Sequence, residues 1–317
     1  MKLFIKKIFL IGLLCGGILL FLLLIMARYP DQYAIESHES NVKYSLERLT
    51  ELEDTTKIVI IGGSGCGFGL NSELLYEKFR MPVVNTGTQA SIGLVMQLKM
   101  FENTFTKNDL VIIIPEYHQF SKNSALGISD ESMYRILYNN YPSALRYLSF
   151  IQTISILKFI PQYFKKAAFL HKGANIDNNS PYSKHSLNRY GDVTNWEYRN
   201  HKNDIITDTI KSIAPNTKII SFLDEFINRQ EEKGVRCLLF PPAYMEESYN
   251  NSKLFIDALD YSLLQQGIPF STSTERYKFV DTLFYDTHYH LTYEGAMLRT
   301  KMLIEDIDSV LNNDIIR

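Results

Sequence analysis

Short β-branched runs alternate with helical stretches along this chain, and that alternation leaves few architectures open. The runs are Lys57-Ile58-Val59-Ile60-Ile61, Pro82-Val83-Val84, Leu110-Val111-Ile112-Ile113-Ile114, Val235 to Phe240, and Ile268-Pro269-Phe270. Helical stretches such as Leu70 to Phe79 and Ile92 to Phe105 lie between them. A strand that is apolar at nearly every position is buried on both faces, as parallel strands are when crossover helices cover them. The expected fold is therefore α/β, a mostly parallel five-stranded sheet covered on both sides. In such sheets ligands bind beyond the carboxyl ends of the strands, so the residues after each run are the ones to inspect.

A different pattern precedes the sheet. From Ile8 to Met26, nineteen consecutive residues carry no charge and no polar side chain other than Cys15. As a helix the run spans roughly 28 Å, about the hydrocarbon thickness of a bilayer. It is longer than the apolar core of a signal peptide, and Ile25-Met26-Ala27 is a poor small-x-small cleavage site, which favours an uncleaved anchor. Lys2, Lys6 and Lys7 before it predict a cytoplasmic N-terminus and an extracytoplasmic body.

The organisation expected is an anchor over 1–28, a polar stalk over 29–54, and one domain over 55–317. That domain carries an insertion at about 120–234, rich in Tyr, Asn, Ser and Lys, with helical candidates near Ser132 to Phe164 and Asn200 to Lys233. A connection of that length is usually functional rather than a plain loop. Without the four bases of residues 1–28, the chain has 29 bases against 35 acids. An acidic body without clustered Lys and Arg is not expected to bind nucleic acid. Beyond the anchor only Cys66 and Cys237 remain, which supports neither a metal site nor a disulfide framework.

The first strand runs into Gly62-Gly63-Ser64-Gly65-Cys66-Gly67-Phe68-Gly69. The dinucleotide spacing and the phosphate-loop lysine are both missing, so no nucleotide cofactor is expected. What remains is a serine two residues beyond a buried strand, held in a turn that exposes its hydroxyl beside backbone N–H groups, as attack on an acyl carbonyl requires. A plain strand-to-helix turn with Ser64 as a cap is the structural alternative, and Cys66 the alternative nucleophile. Near the C-terminus, Asp286-Thr287-His288-Tyr289-His290-Leu291-Thr292 offers an imidazole and a carboxylate on one loop, the base and orienting acid that a serine nucleophile needs.

In that order Gly63-Ser64, Asn85-Thr86-Gly87 and Asp286 to Thr292 with Gly295 resemble the first, second and fifth blocks of the SGNH/GDSL hydrolases, over roughly residues 55 to 310. The resemblance implies a flavodoxin-like three-layer sandwich, with Ser64 as nucleophile, His290 as base, and Asp286 as orienting acid. It also implies an oxyanion hole from the Ser64 and Gly87 amides, beside Asn85. The N-terminal anchor, Pro115-Glu116-Tyr117, Asn188 to Asp192 and the terminal Tyr-His-Leu-Thr-x-x-Gly pattern look like the membrane-anchored SGNH-like proteins that accompany membrane-bound O-acyltransferases. That likeness implies a serine esterase or O-acyltransferase acting on acyl, in the first place acetyl, esters of a cell-envelope polysaccharide. A non-catalytic glycan-binding or scaffold partner of a membrane-bound O-acyltransferase is the alternative.

Three positions depart from the family pattern. Three residues separate Asp286 from His290 where two are usual, which keeps His288 as an alternative base. Strand three ends in Pro115-Glu116-Tyr117 where an Asn normally serves the oxyanion. Glu116 would repel negative charge there unless protonated, which makes the Tyr117 hydroxyl a substitute donor. Gly63 stands where an Asp often precedes the nucleophile.

Overall fold

In the computed structural model, residues 1–28, 31–122, 131–156, 158–159, 176–195, 199–202 and 204–315 are described. The central sheet has four parallel strands, β1 (Ile58–Gly62), β2 (Val83–Asn85), β3 (Leu110–Ile114) and β4 (Arg236–Leu239), in the order β2-β1-β3-β4. Ile58 pairs with Val83 on one side and Leu110 on the other, and Leu110 pairs with Arg236. A separate parallel pair joins β5 (Tyr244–Met245) to β6 (Lys278–Phe279). The expected fifth strand does not form. Ile268 and Phe270 are buried while Pro269 is exposed, and Ser271 N–H reaches Leu239 O at 2.7 Å. Pro269 has no N–H to donate, so no ladder is built there.

Successive strand residues face opposite sides, and β1 divides accordingly. Val59 and Ile61 join a core with α3 (Asn41–Glu51), α6 (Leu94–Phe101), α8 (Thr217–Glu232) and α9 (Glu246–Gln266). Ile58 and Ile60 join another with α5 (Ser72–Phe79) and α10 (Tyr293–Ile315). Local chemistry sets several helix ends. The Asn71 side chain accepts from Glu73 N–H to start α5, the Asn216 side chain from Lys218 N–H to start α8, and Gly267 ends α9 at φ 85°.

Helix α1 (Lys2–Arg28) carries the apolar run; its Lys2–Leu22 stretch has a mean hydropathy of 2.2 and is long and apolar enough to cross a membrane. The expected stalk is instead packed onto the domain. Within α2 (Gln32–Glu36) and α3, Ala34, Val42 and Leu49 are fully buried, and burying Val42 and Leu49 stabilises the fold by roughly 1.5–3 kcal/mol each. Several of the polar residues that suggested a stalk, Ser37, Ser40, Asn41 and Ser45, are buried too, with partners. Asn41 Nδ2 donates to the carbonyls of Asn85, Gly87 and Gly191.

In the insertion, α7 (Glu131–Asn140) is helical, whereas residues 204–216 are not and the helix begins only after Pro215. Residues 160–164 of the first helical candidate lie outside the described residues. Residues 188–193 lie along the carboxyl ends of the strands: Asn85 N–H donates to Tyr190 O at 2.7 Å and Val193 N–H to Gly67 O at 2.9 Å.

Candidate active site

Ser64 opens the single-turn helix α4 (Ser64–Gly67), two residues beyond the end of β1. Its Oγ lies 2.8 Å from His290 Nε2. The other imidazole nitrogen, Nδ1, lies 2.9 Å from Asp286 Oδ1. The chain thus brings Ser64 onto two side chains that lie more than two hundred residues away on one loop, in the sequence of contacts that nucleophile, base and orienting acid require.

The loop geometry explains how the extra residue is accommodated. Phe284 and Leu291 form an antiparallel bridge, and Tyr285 N–H donates to His290 O at 2.7 Å. The residues between are gathered by Thr287 Oγ1, which accepts from the amides of Tyr289 and His290. Asp286 and His290 therefore face each other across a closed turn, and three intervening residues fit.

Aromatic and polar neighbours hold the imidazole. Phe68 stacks on His290 with centroids 4.1 Å apart and planes 12° from parallel. The Tyr182 hydroxyl donates to Asp286 Oδ2 at 2.7 Å and lies 3.2 Å from His290 Nδ1. Burial opposes ionisation of Asp286, but the hydrogen bonds and charge of His290 and the Tyr182 hydroxyl outweigh it, so the carboxyl stays below its ordinary range. His38, 7% exposed, stands edge-on to Phe68 and Tyr182.

Two buried arginines tie the loops together. Arg199 donates to the carbonyls of Phe68, Val193 and Leu291, joining the turn that follows Ser64, the insertion and the His290 loop. Arg299 Nη1 donates to Gly65 O at 3.0 Å, next to Ser64 in the chain. Asp192 is fully buried and accepts from Ser72, Asn85 and Asn188, linking the insertion to β2 and α5.

Other expected site residues sit differently. His288 is turned toward Asp208, 3.6 Å away, and packs on Tyr244 and Tyr289. Asn85 is fully buried and bridges Cys66 O to Asp192, so its side chain is part of the framework. The Gly87 amide donates to Asn85 Oδ1 at 3.0 Å rather than standing open for an oxyanion. The Tyr117 side chain is fully buried against Tyr244 and Phe270 in the core on one face of the sheet, and its hydroxyl has no hydrogen-bond partner among the described residues. Cys66 is buried, and desolvation pushes its thiol up to about 12, which disfavours a reactive thiolate.

Glu116, two residues beyond β3, is the residue that approaches Ser64 from that strand. Its Oε1 accepts from Gly65 N–H at 3.2 Å, and its carboxyl interacts with the Ser64 hydroxyl. Sequence reasoning did not single out Tyr182, Phe68, Arg199, Arg299 or Asn41. Phe68 alone lay inside a marked motif. Two cavities, of about 480 and 210 Å³, lie elsewhere, between α3 and residues 184–191 and beside Tyr76 and Pro82.

The chain matches no protein-family model, no curated protein and no solved structure.

Proposed function

We propose that this protein is a serine acyl-transfer enzyme of SGNH type, anchored by α1 with its domain on the extracytoplasmic face. It would act on acyl esters of a cell-envelope polysaccharide. The observation that carries the reading is the relay Ser64 Oγ, His290 Nε2 and Nδ1, Asp286 Oδ1, with contacts of 2.8 and 2.9 Å. The strand order β2-β1-β3-β4 supports the flavodoxin-like assignment, since it agrees with the first four positions of the order 2-1-3-4-5. Three lysines ahead of the apolar run support the orientation.

In the proposed reaction, Ser64 Oγ attacks the acyl carbon while its proton passes to His290 Nε2. The carbonyl π pair moves onto oxygen. Collapse expels the alcohol, which takes the proton back from His290 and leaves an acyl-serine. A sugar hydroxyl or water then attacks that ester, giving its proton to His290, and Ser64 is restored. Asp286 holds the imidazole in the tautomer with Nδ1 protonated and stabilises the imidazolium throughout.

The engaged Gly87 and Gly65 amides favour a second reading, a non-catalytic partner of a membrane-bound O-acyltransferase. Polysaccharide acylation in cells carrying Ser64→Ala or His290→Ala separates the two. Enzymatic transfer requires acylation to fall to background in both. Full acylation in both, with loss on removal of α1, would establish the scaffold instead.

A further inference from the structure

We propose that Glu116 works at this site as a neutral carboxylic acid whose O–H faces the oxygen that becomes negative when Ser64 attacks an acyl ester. The inference rests on the acyl-transfer reading above and goes to how that reaction handles its charge.

The space for this carboxyl is built in. A Cβ on Gly63 would lie 2.2 Å from Glu116 Oε1 and 2.7 Å from Glu116 Cδ, so the residue before the nucleophile must be glycine for Glu116 to reach it. The two departures from the family pattern, Gly63 and Glu116, are therefore one arrangement. The Glu116 backbone is fixed as well. Its N–H donates to Gln119 Oε1, and Gln119 Nε2 donates to Ala90 O and Gln97 Oε1. Gln97 in turn donates to Gly62 O at the end of β1. The carboxyl is thus held at a set height above the strand that delivers Ser64.

Its protonation state decides what it does there. Ionised, Glu116 would hold the Gly65 amide and set a negative charge against the developing oxyanion. Neutral, it adds a donor in a site that lacks the usual Asn and whose Gly87 amide is engaged. Desolvation pushes the carboxyl up to about 7, against the Gly65 amide, the Arg299 charge and the Ser64 hydroxyl, which favour the anion. Other groups face it too. Asp208 of the insertion opposes ionisation, Cys66 and Tyr289 lie within its field, and His118 Nδ1 is 3.7 Å from Oε2. Of these, burial pushes His118 down to about 4 and Tyr289 well above its ordinary range, so neither gains or loses charge near neutrality.

The chemistry balances without transfer from Glu116. The Ser64 proton goes to His290, the π pair to the acyl oxygen, and the Glu116 proton stays on Glu116 while hydrogen-bonding that oxygen.

The test is the rate of phosphonylation of Ser64 by a fluorophosphonate, measured on the full-length protein in detergent from pH 5 to 9. Wild type should give a bell, falling about tenfold per pH unit above the Glu116 transition near 7. Glu116→Gln keeps a donor that does not titrate, so its profile should lose the alkaline fall and plateau. Carbon-13 NMR of labelled glutamate in the wild type should show one carboxyl titrating where the rate falls, which keeps the question decidable if Glu116→Gln does not fold. A labelled Ser64 with the same profile in both proteins, or a Glu116 carboxyl already ionised at pH 5, would overturn this role and leave the nucleophile standing. Absence of labelling at every pH would overturn the acyl-transfer reading and this inference with it.

Discussion

Asn41 donates to the carbonyl of Gly87 across 3.0 Å, which ties the segment just after the apolar helix α1 to the turn that follows β2. The same amide group also reaches the Asn85 carbonyl at 3.0 Å and the Gly191 carbonyl at 3.3 Å. A version of the protein beginning at residue 31 should therefore fold, and one beginning at residue 55 should not. The shorter one uncovers the surface that Ala34, Val42 and Leu49 bury and strips three buried carbonyls of their donor. Circular dichroism and urea unfolding of both would decide, and a cooperative transition in the shorter version would show that the segment is dispensable.

Tyr182→Phe removes the hydroxyl that donates to Asp286 Oδ2. A hydrogen bond to a charged group contributes about 1.5–3 kcal/mol, so the rate should fall by roughly tenfold to a hundredfold while the fold persists. Asp286 also loses a partner that keeps its carboxyl low, so the acid limb of the rate profile should move to higher pH. An unchanged rate and acid limb would place Tyr182 outside the working site.

Gly63→Ala sets a methyl 2.2 Å from Glu116 Oε1 and 2.9 Å from Ala90 Cβ. Overpacking of this kind costs about 1–3 kcal/mol. Most of that loss should vanish when Glu116→Ala is added, with Ala90 accounting for the remainder. Chemical denaturation of the two single variants and the double variant gives the coupling, and equal costs of Gly63→Ala in both backgrounds would show that Glu116 is not the obstacle.

His38 titrates at about 4 rather than near 6.5, because burial disfavours its charged form. A depressed folded pKa means that the unfolded chain binds the proton more readily. The stabilisation is then complete above about 6.5 and is lost as pH falls toward 4, up to about 3 kcal/mol from this one group. His38→Phe should flatten that part of the stability curve. Parallel acid dependence in the two proteins would mean that His38 takes up its proton as readily in the fold as in the unfolded chain.

The four parallel strands were readable because each is a short, largely apolar run, β-branched in β1 and β3, and β1 shares its side chains between two cores. The fifth was misread because Ile268 and Phe270 have the same composition, while the Pro269 between them removes the donor a ladder needs. Ser64, Asp286 and His290 were legible because their chemistry depends on short local patterns, a glycine-flanked turn and one loop. Tyr182 was not, since it reaches Asp286 from 104 positions away and nothing local distinguishes it from the other nineteen tyrosines. Tyr117 and Glu116 exchanged importance for a geometric reason. Glu116 is the extended cap of a one-turn helix that begins at Tyr117, and with its carboxyl beside Ser64 the Tyr117 ring enters the core. The polar residues of 31–52 read as solvent-exposed because a satisfied buried side chain such as Asn41 looks, in sequence, like a surface one.

The central proposition is that Ser64 is a nucleophile activated by His290. Intact-mass and peptide analysis after exposure to a fluorophosphonate at pH 6.5 tests it most directly. The expected result is one adduct on Ser64 in the wild type, none in Ser64→Ala, and labelling slowed by several orders of magnitude in His290→Ala. A folded wild-type protein that takes no adduct, or one labelled equally fast without His290, would contradict it.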